Sequence, residues 1–155
     1  MNYRVSGLDP QPFEHLFGLS DKELATNNAV RMTADEAFGF PDRIEMREVS
    51  IGESVLLVNH VSLPDASPYR ASHAIFVREG AEKKWTGENE IPPILAKRLL
   101  SLRGFDRDAM IVDAEIAEGD AIEPTVLRLL DNPEIEMIHA HFAIRGCFGG
   151  RIERA

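Results

Sequence analysis

Residues 54–78, SVLLVNHVSLPDASPYRASHAIFVR, contain the two segments with the clearest strand pattern in the chain. Ser54 to Val61 is an almost continuous apolar run, which is typical of a strand at the centre of a sheet and covered on both faces. Ser72 to Arg78 is a second apolar strand, and the two prolines between the segments exclude a helix there. Links of this kind are too short for parallel crossovers, which need about a dozen residues or more, so the strands are predicted to be antiparallel.

Further strands are predicted on both sides of this pair. Alternating or apolar patterns favour strands over residues 3–8, 44–50, 110–116, 135–144 and 147–153. Residues 100–105 fit either a strand or the end of a helix. Residues 31–43 are predicted to be irregular, and residues 79–90 are predicted to form a polar loop.

Helices are predicted to be short and few. They are expected after Asp9-Pro10, at the capping box Ser20 to Glu23, at Pro92-Pro93, and at Asp120, which has Glu123 at capping-box spacing. Paired strands with interspersed short helices indicate an α+β fold, in which a mainly antiparallel sheet carries a few short helices packed on one face. No repeat or linker divides the chain, so residues 1–155 are predicted to form a single domain.

Composition limits the classes of partner. Apolar residues make up 44% of the 155 residues and charged residues 28%, a balance that is typical of a soluble globular domain. The formal net charge of −9 opposes binding to phosphate backbones and to anionic membranes, so neither nucleic acid nor membrane is predicted as a partner. A small molecule and a second copy of the chain remain as candidate partners.

Cysteine usage and hydropathy suggest a location. The single cysteine, Cys147, cannot form an internal disulfide, which is typical of a reducing compartment. The longest apolar run, Val55 to Val58, is far shorter than the roughly 20 residues that span a membrane. A cytoplasmic location is therefore expected.

Six segments of the chain carry a family resemblance: YRVSGL at 3–8, LSDKEL at 19–24, and residues 68–79, 98–106, 110–114 and 138–155. Together they resemble the bacterial family known as domain of unknown function 1203, over nearly the whole chain. The resemblance implies one domain and brings no activity, substrate or catalytic residue. The resemblance also implies cysteines where this chain has Asp42 and Gly150, whereas Cys147 matches, so a metal or redox site built on those family cysteines would be mostly missing here.

The sharpest local motif is His139-Ala140-His141, within a predicted strand. Residues two apart in a strand point to the same face, so the two imidazoles can hold one divalent metal ion as a cofactor. Asp113 and Glu115, which share a face of another strand, are candidate further ligands, and His60 and His73 are others. The alternative is that both imidazoles are hydrogen-bonded on a partly solvated sheet face.

Four other residues are candidates for binding a ligand near that strand. Tyr69, Arg70 and His73 lie where a loop enters a strand, and Arg70 is able to clamp a carboxylate or phosphate group. An ordinary surface ion pair is the alternative role for Arg70. Cys147 is predicted to lie on a hairpin partner of the histidine strand, either as a thiolate beside an imidazole or as a small buried apolar residue.

No motif names a reaction, because the chain has no nucleophile elbow, zinc-protease motif or dinucleotide-binding fingerprint. Two function hypotheses therefore remain. The first is a small-ligand or metal-binding domain with its site near the His139/His141 strand. The second is a non-catalytic interaction protein, in one version a homodimer, that uses an exposed sheet edge or the 79–90 loop.

Overall fold

A computed structural model describes all 155 residues of the chain. It contains nine strands and four short α-helices: β1 Tyr3–Ser6, α1 Gln11–Glu14, α2 Asp21–Thr26, β2 Ala29–Thr33, β3 Ser54–Leu63, β4 Ala71–Arg78, β5 Thr86–Glu88, α3 Pro93–Ala96, β6 Leu100–Phe105, β7 Ile111–Ala117, α4 Ile122–Asp131, β8 Met137–Phe142 and β9 Phe148–Arg154. A 3-10 turn, Gly119–Ala121, precedes α4.

The strands form two sheets rather than one. The large sheet has six strands in the order β5-β1-β9-β8-β6-β7, and the small sheet has three in the order β2-β3-β4. Every pairing between these strands is antiparallel. The predicted α+β class with mainly antiparallel strands is confirmed, and the second sheet is an addition that the sequence pattern did not reveal.

One face of the large sheet is apolar and is covered by helices. Leu102, Ile138 and Ile152 project from it and are fully buried. They pack against α3 and α4, whose buried residues in the same cluster are Ile94, Leu95, Ile122, Val126, Leu129 and Leu130. Removing each such side chain from water contributes roughly 2 kcal/mol, so this layer is the main source of stability.

The small sheet covers the opposite face of the large sheet. Its inner residues Leu56, Val58, Ile75 and Val77 form a second core with residues of α1 and α2. Phe148, at the start of β9, is the one residue of the large sheet in that core. The two sheets therefore meet through Phe148, through the polar side chains around it, and through a smaller apolar cluster in which Leu63 of β3 packs with Phe105 of β6 and Met137 of β8.

Several boundaries differ from the predicted ones. Residues 44–50 are not a strand, although they alternate in polarity. The carboxylate of Asp42 accepts hydrogen bonds from the backbone N–H groups of Ile44 (3.0 Å), Glu45 (2.7 Å) and Arg78 (2.9 Å), which turns the chain away from an extended path. Thus Asp42, a cysteine position in the resembled family, has a structural role here.

Two edge strands, β2 and β5, lie in segments that were predicted to be irregular. The capping box at Ser20 is confirmed, since the Ser20 hydroxyl accepts from the Glu23 N–H at 3.2 Å. The predicted cap at Asp120 is wrong, because the 3-10 turn displaces the helix start and no side chain caps α4. None of the helices combines the length and the apolar character that crossing a membrane requires.

A histidine cluster between the two sheets

His139 and His141 lie side by side on β8, as the strand pleat predicts. Both rings point towards the small sheet, with centroids 6.3 Å apart, and each residue is only 3% exposed. The His141 Nδ1 bonds the carbonyl of Gly146 at 2.9 Å. The two rings therefore share one face of the strand, as predicted. They are buried beneath the surface and do not line an open cleft.

Two further histidines face this pair from the small sheet. His60 on β3 and His73 on β4 are directly opposite each other in the strand register. The ring of His73 meets that of His141 edge to face at 4.9 Å. Its Nδ1 also lies 3.1 Å from the Ser62 hydroxyl. We refer to His60, His73, His139 and His141 as the histidine cluster.

Phe148 is the centre of the cluster. Its ring centroid lies 5.1 Å from that of His139, 5.9 Å from that of His141 and 6.1 Å from that of His60. Aromatic rings at these separations attract one another in tilted and edge-to-face arrangements. Three imidazoles from two sheets are thus held around one phenyl ring, and His73 joins them through its contact with His141.

Burial keeps the cluster uncharged at neutral pH. It lowers the pKa of His139 to about 3, with smaller effects from the positive charges of His141 and Arg151. Burial also lowers the pKa of His141 to about 4, although the Gly146 carbonyl acts in the opposite direction. The pKa values of His60 and His73 are lowered for the same main reason. Each neutral ring offers one hydrogen-bond donor and one acceptor.

Two arginines flank His139 on the neighbouring strands. Arg103 on β6 and Arg151 on β9 are its direct cross-strand partners, so all three side chains share one face. Arg151 is half exposed and pairs with Glu153 at 3.1 Å. Arg103 is only partly exposed, and its one hydrogen bond joins Nε to the Ser101 hydroxyl at 3.2 Å.

The environment of Arg103 is unusual for an arginine in this chain. The other arginines that are not fully exposed all bond a carboxylate or a main-chain carbonyl: Arg4, Arg31, Arg43, Arg47, Arg78, Arg98 and Arg154. Arg103 bonds neither, although the chain has 26 acidic residues. Burial lowers the pKa of its guanidinium. A partly buried positive charge therefore lies beside neutral histidines without an anionic partner.

Tyr69 borders the cluster, whereas Arg70 does not take part in it. The Tyr69 ring packs edge-on against Phe105 at 6.1 Å, and Phe105 in turn lies 5.2 Å from the ring of His139. Arg70 is exposed and donates to the carbonyl of Pro64 within its own loop. The loop before β4 thus contributes the Tyr69 ring to this region, and β4 itself contributes His73, while the Arg70 side chain bonds within the loop.

The predicted acidic ligands lie on the wrong side of the sheet. β6 separates β7 from β8, and the register places Asp113 and Glu115 on the helix-covered face, opposite the histidines. Arg128 of α4 binds both carboxylates, at 2.7 Å and 2.6 Å. The set His139, His141, Asp113 and Glu115 is therefore not assembled. No three histidine, cysteine, aspartate or glutamate side chains converge as a metal site would require.

Cys147 is paired with an arginine rather than with a histidine. Its Sγ accepts a hydrogen bond from the Arg43 Nη2 at 3.3 Å, and the side chain packs against the helix-face core. Arg43 is 2% exposed and also donates to the carbonyls of Phe148 (2.8 Å) and Pro41 (2.6 Å). The predicted thiolate–imidazole pair is not formed, since Cys147 and Phe148 point to opposite faces of the sheet.

Sequence reasoning missed Arg103 and Arg43. Arg103 lies in a segment whose pattern fitted two kinds of element, and only the strand register places it beside His139. Arg43 lies in a segment predicted to be irregular, and nothing in its neighbours signals its burial. The sequence offered His60 only as one of several further ligand candidates, because its approach to β8 depends on how the two sheets stack.

The fold and this site define an α+β protein in which two antiparallel sheets enclose a polar histidine cluster. The chain belongs to the family described as "Protein of unknown function (DUF1203)", whose model matches residues 39–154. That range includes the four histidines, Phe148 and Arg103. No curated protein and no solved structure matches the chain significantly.

Proposed function

We propose that the protein binds a small molecule that carries a carboxylate or phosphate group, at the rim of the histidine cluster. The observation that carries the proposal is Arg103, a partly buried guanidinium without an anionic partner. Burying an unpaired charge costs free energy, so such a residue is more readily explained by a ligand than by stability.

The residues around Arg103 suggest how the ligand is held. A guanidinium can donate two parallel hydrogen bonds to one carboxylate or phosphate group. His73, Ser62 and Ser101 are partly exposed and supply neutral donors and acceptors at the same rim. His139 and His141 lie beneath them and bring no positive charge, which leaves Arg103 as the main source of charge recognition.

The experiment compares thermal unfolding in inorganic phosphate, succinate and sodium chloride at matched ionic strength. Binding to Arg103 raises the Tm in phosphate or succinate by about 3 °C, once the anion exceeds its Kd roughly tenfold. Arg103→Gln abolishes this rise. Arg107→Gln, which removes an exposed arginine from the turn after β6, is the matched control and leaves it intact.

Two results would overturn the proposal. One is a wild-type Tm that follows ionic strength alone, whichever anion is present. The other is an equal loss of the anion-dependent rise in Arg103→Gln and Arg107→Gln, since this would assign the effect to general surface charge. A phosphate effect without a succinate effect, or the reverse, identifies which anionic group the site accepts.

Exposed apolar side chains on edge strands favour a second candidate, a homodimer without catalytic activity. Val30 and Met32 on the unpaired edge of β2 are 56% and 38% exposed, and an open edge is a template for pairing with another chain. If the protein is a homodimer, light scattering at micromolar concentration detects a dimer, and the Val30→Lys substitution dissociates it. A wild-type monomer under those conditions removes this candidate.

We also propose that the protein is located in the cytoplasm. Cys147 is a free thiol that accepts a hydrogen bond from Arg43, and the chain has no second cysteine with which it could form a disulfide. Such an unpaired thiol is most compatible with a reducing compartment.

A further inference from the structure

A second polar cleft lies away from the histidine cluster. It has a volume of about 450 Å³ and is lined by six residues: Glu45, Arg47, Lys83, Lys84, Trp85 and Thr86. This volume is large enough for a small molecule, but the hollow is shallow and open to solvent, and five of its six lining residues are polar or charged. The cleft is formed by the loop before β5 and by the turn that Asp42 shapes.

The cleft is positively charged in a negatively charged protein. Arg47 is paired with Glu45 (3.3 Å) and Glu53 (3.4 Å), so the excess positive charge of the cleft comes from Lys83 and Lys84, in a chain whose formal net charge is −9. Lys83 is exposed and has no ion-pair partner. The Lys84 Nζ lies 3.4 Å from a carboxylate oxygen of Asp9, but both side chains are well exposed, so this pair is weak.

Trp85 is held firmly at the base of this cleft. Its backbone N–H donates to the backbone carbonyl of Ile44 at 2.8 Å, and its backbone carbonyl accepts from the Gly7 N–H at 2.9 Å. The indole ring lies across Gly87, where an added Cβ would approach the ring to 2.3 Å. Trp85 is partly buried against the core, and the cleft exposes the remainder of the residue.

We propose that this cleft binds a nucleoside phosphate, with the base stacked on Trp85 and the phosphates beside Lys83 and Lys84. Stacking on an aromatic ring accepts any base, because every base has a π face. The lysines supply the positive charge that a phosphate chain requires. This inference is independent of the Arg103 site and does not rest on it.

Trp85 is the only tryptophan in the chain, so its fluorescence reports directly on the cleft. We expect adenosine triphosphate to quench this fluorescence saturably. Tripolyphosphate, which has the charge without the base, is expected to bind more weakly and to quench little. The double variant Lys83→Gln/Lys84→Gln should weaken adenosine triphosphate binding roughly tenfold, because two nearby charges are lost.

The matched control is Lys22→Gln/Lys97→Gln, which removes two exposed lysines outside the cleft and makes the same change in net charge. It should leave the affinity unchanged, as should Arg103→Gln. In a calorimetric titration, Trp85→Leu should reduce the affinity for adenosine triphosphate to that for tripolyphosphate. The lysine variants alter only exposed side chains, so they test the proposal even if Trp85→Leu does not fold.

The proposal is overturned by the absence of saturable quenching, or by equal affinities for adenosine triphosphate and tripolyphosphate. An equal loss of affinity in the two double-lysine variants also overturns it, because binding would then depend on net charge rather than on this cleft. Loss of binding in Arg103→Gln alone would reassign the nucleotide to the histidine cluster.

Discussion

The two faces of the large sheet are built from alternate residues of the same strands, and they differ in almost every physical respect. On β6, Leu102 is fully buried against the helices, while its neighbour Arg103 points to the small sheet without an ionic partner. On β8, Ile138 lies in the helix-face core and His139 in the histidine cluster. One strand therefore serves both a stabilising layer and a polar one.

The contrast between the two faces shows which side of the large sheet stabilises the fold and which side carries the proposed site. The helix face gains free energy from burying apolar side chains, roughly in proportion to their area. The polar face buries imidazole rings and a guanidinium group. These groups lose their hydration, and their contacts within the protein compensate for that loss only in part. We therefore infer that the helix face maintains the fold, whereas the polar face carries the site proposed above.

The largest effect is expected from truncating the helix face. Leu102→Ala removes a fully buried side chain and should lower the free energy of unfolding by about 3 kcal/mol, measured by urea denaturation. Ile116→Ala, at a 56% exposed position on β7, is the control and should change it by less than about 0.5 kcal/mol. Comparable losses at the two positions would mean that the helix layer is not the main stabilising core.

The next effect is a loss of stability in acid that comes from the polar face. Burial lowers the pKa values of His139 and His141 in the folded protein to about 3 and about 4, below the 6.5 of an imidazole in water. The unfolded chain therefore binds more protons between these values, and stability is fully present above pH 6.5 and declines as pH falls below it. From pH 7 to pH 5 the free energy of unfolding should fall by about 3 kcal/mol.

Urea denaturation at several pH values measures this dependence and assigns it to residues. The double variant His139→Gln/His141→Gln should flatten the decline between pH 7 and pH 5. His15→Gln, at an exposed position after α1, should retain it. If the double variant keeps the wild-type slope, the acid sensitivity arises elsewhere and the two histidines are not buried as neutral rings.

A smaller effect, of opposite sign, is expected at Arg103. Arg103→Leu removes an unpaired, partly buried charge and should raise the free energy of unfolding by about 1 kcal/mol while abolishing anion binding. Arg154→Leu is the contrasting variant. The Arg154 guanidinium donates to the carbonyls of Leu130, Asn132 and Ile135, so its loss should destabilise the protein. Destabilisation by Arg103→Leu would instead indicate a structural role.

Much of the fold was predictable because the strand period is a local property. The strand patterns over β7 and β8 and the apolar run in β3 identified strands of both sheets. The strands β2 and β5 were missed because they have only five and three residues and bury at most one side chain each. Residues 44–50 were wrongly predicted to be a strand because they alternate in polarity. The buried carboxylate of Asp42 determines their backbone path, so they pair with no strand.

Less of the site was predictable, because it depends on register and on layer stacking. The two-residue period placed His139 and His141 on one face, which is correct. It does not reveal that His60 and His73 approach from a second sheet, or that Arg103 has no carboxylate nearby. Likewise, Asp113 and Glu115 do share a face of β7. Only the strand order and register, with β6 between β7 and β8, show that this face is the helix-covered one, opposite the histidines.

The smallest effect is expected where those two carboxylates are bound. Arg128→Ala breaks the ion pairs of α4 with Asp113 and Glu115, yet these side chains are 41–49% exposed, so the Tm should remain within experimental error. The anion-dependent rise in Tm should also persist, because Arg128 and its two carboxylate partners lie on the face of the sheet opposite Arg103. Loss of that rise in Arg128→Ala would show that the two faces of the sheet are coupled, and the separation inferred above would then fail.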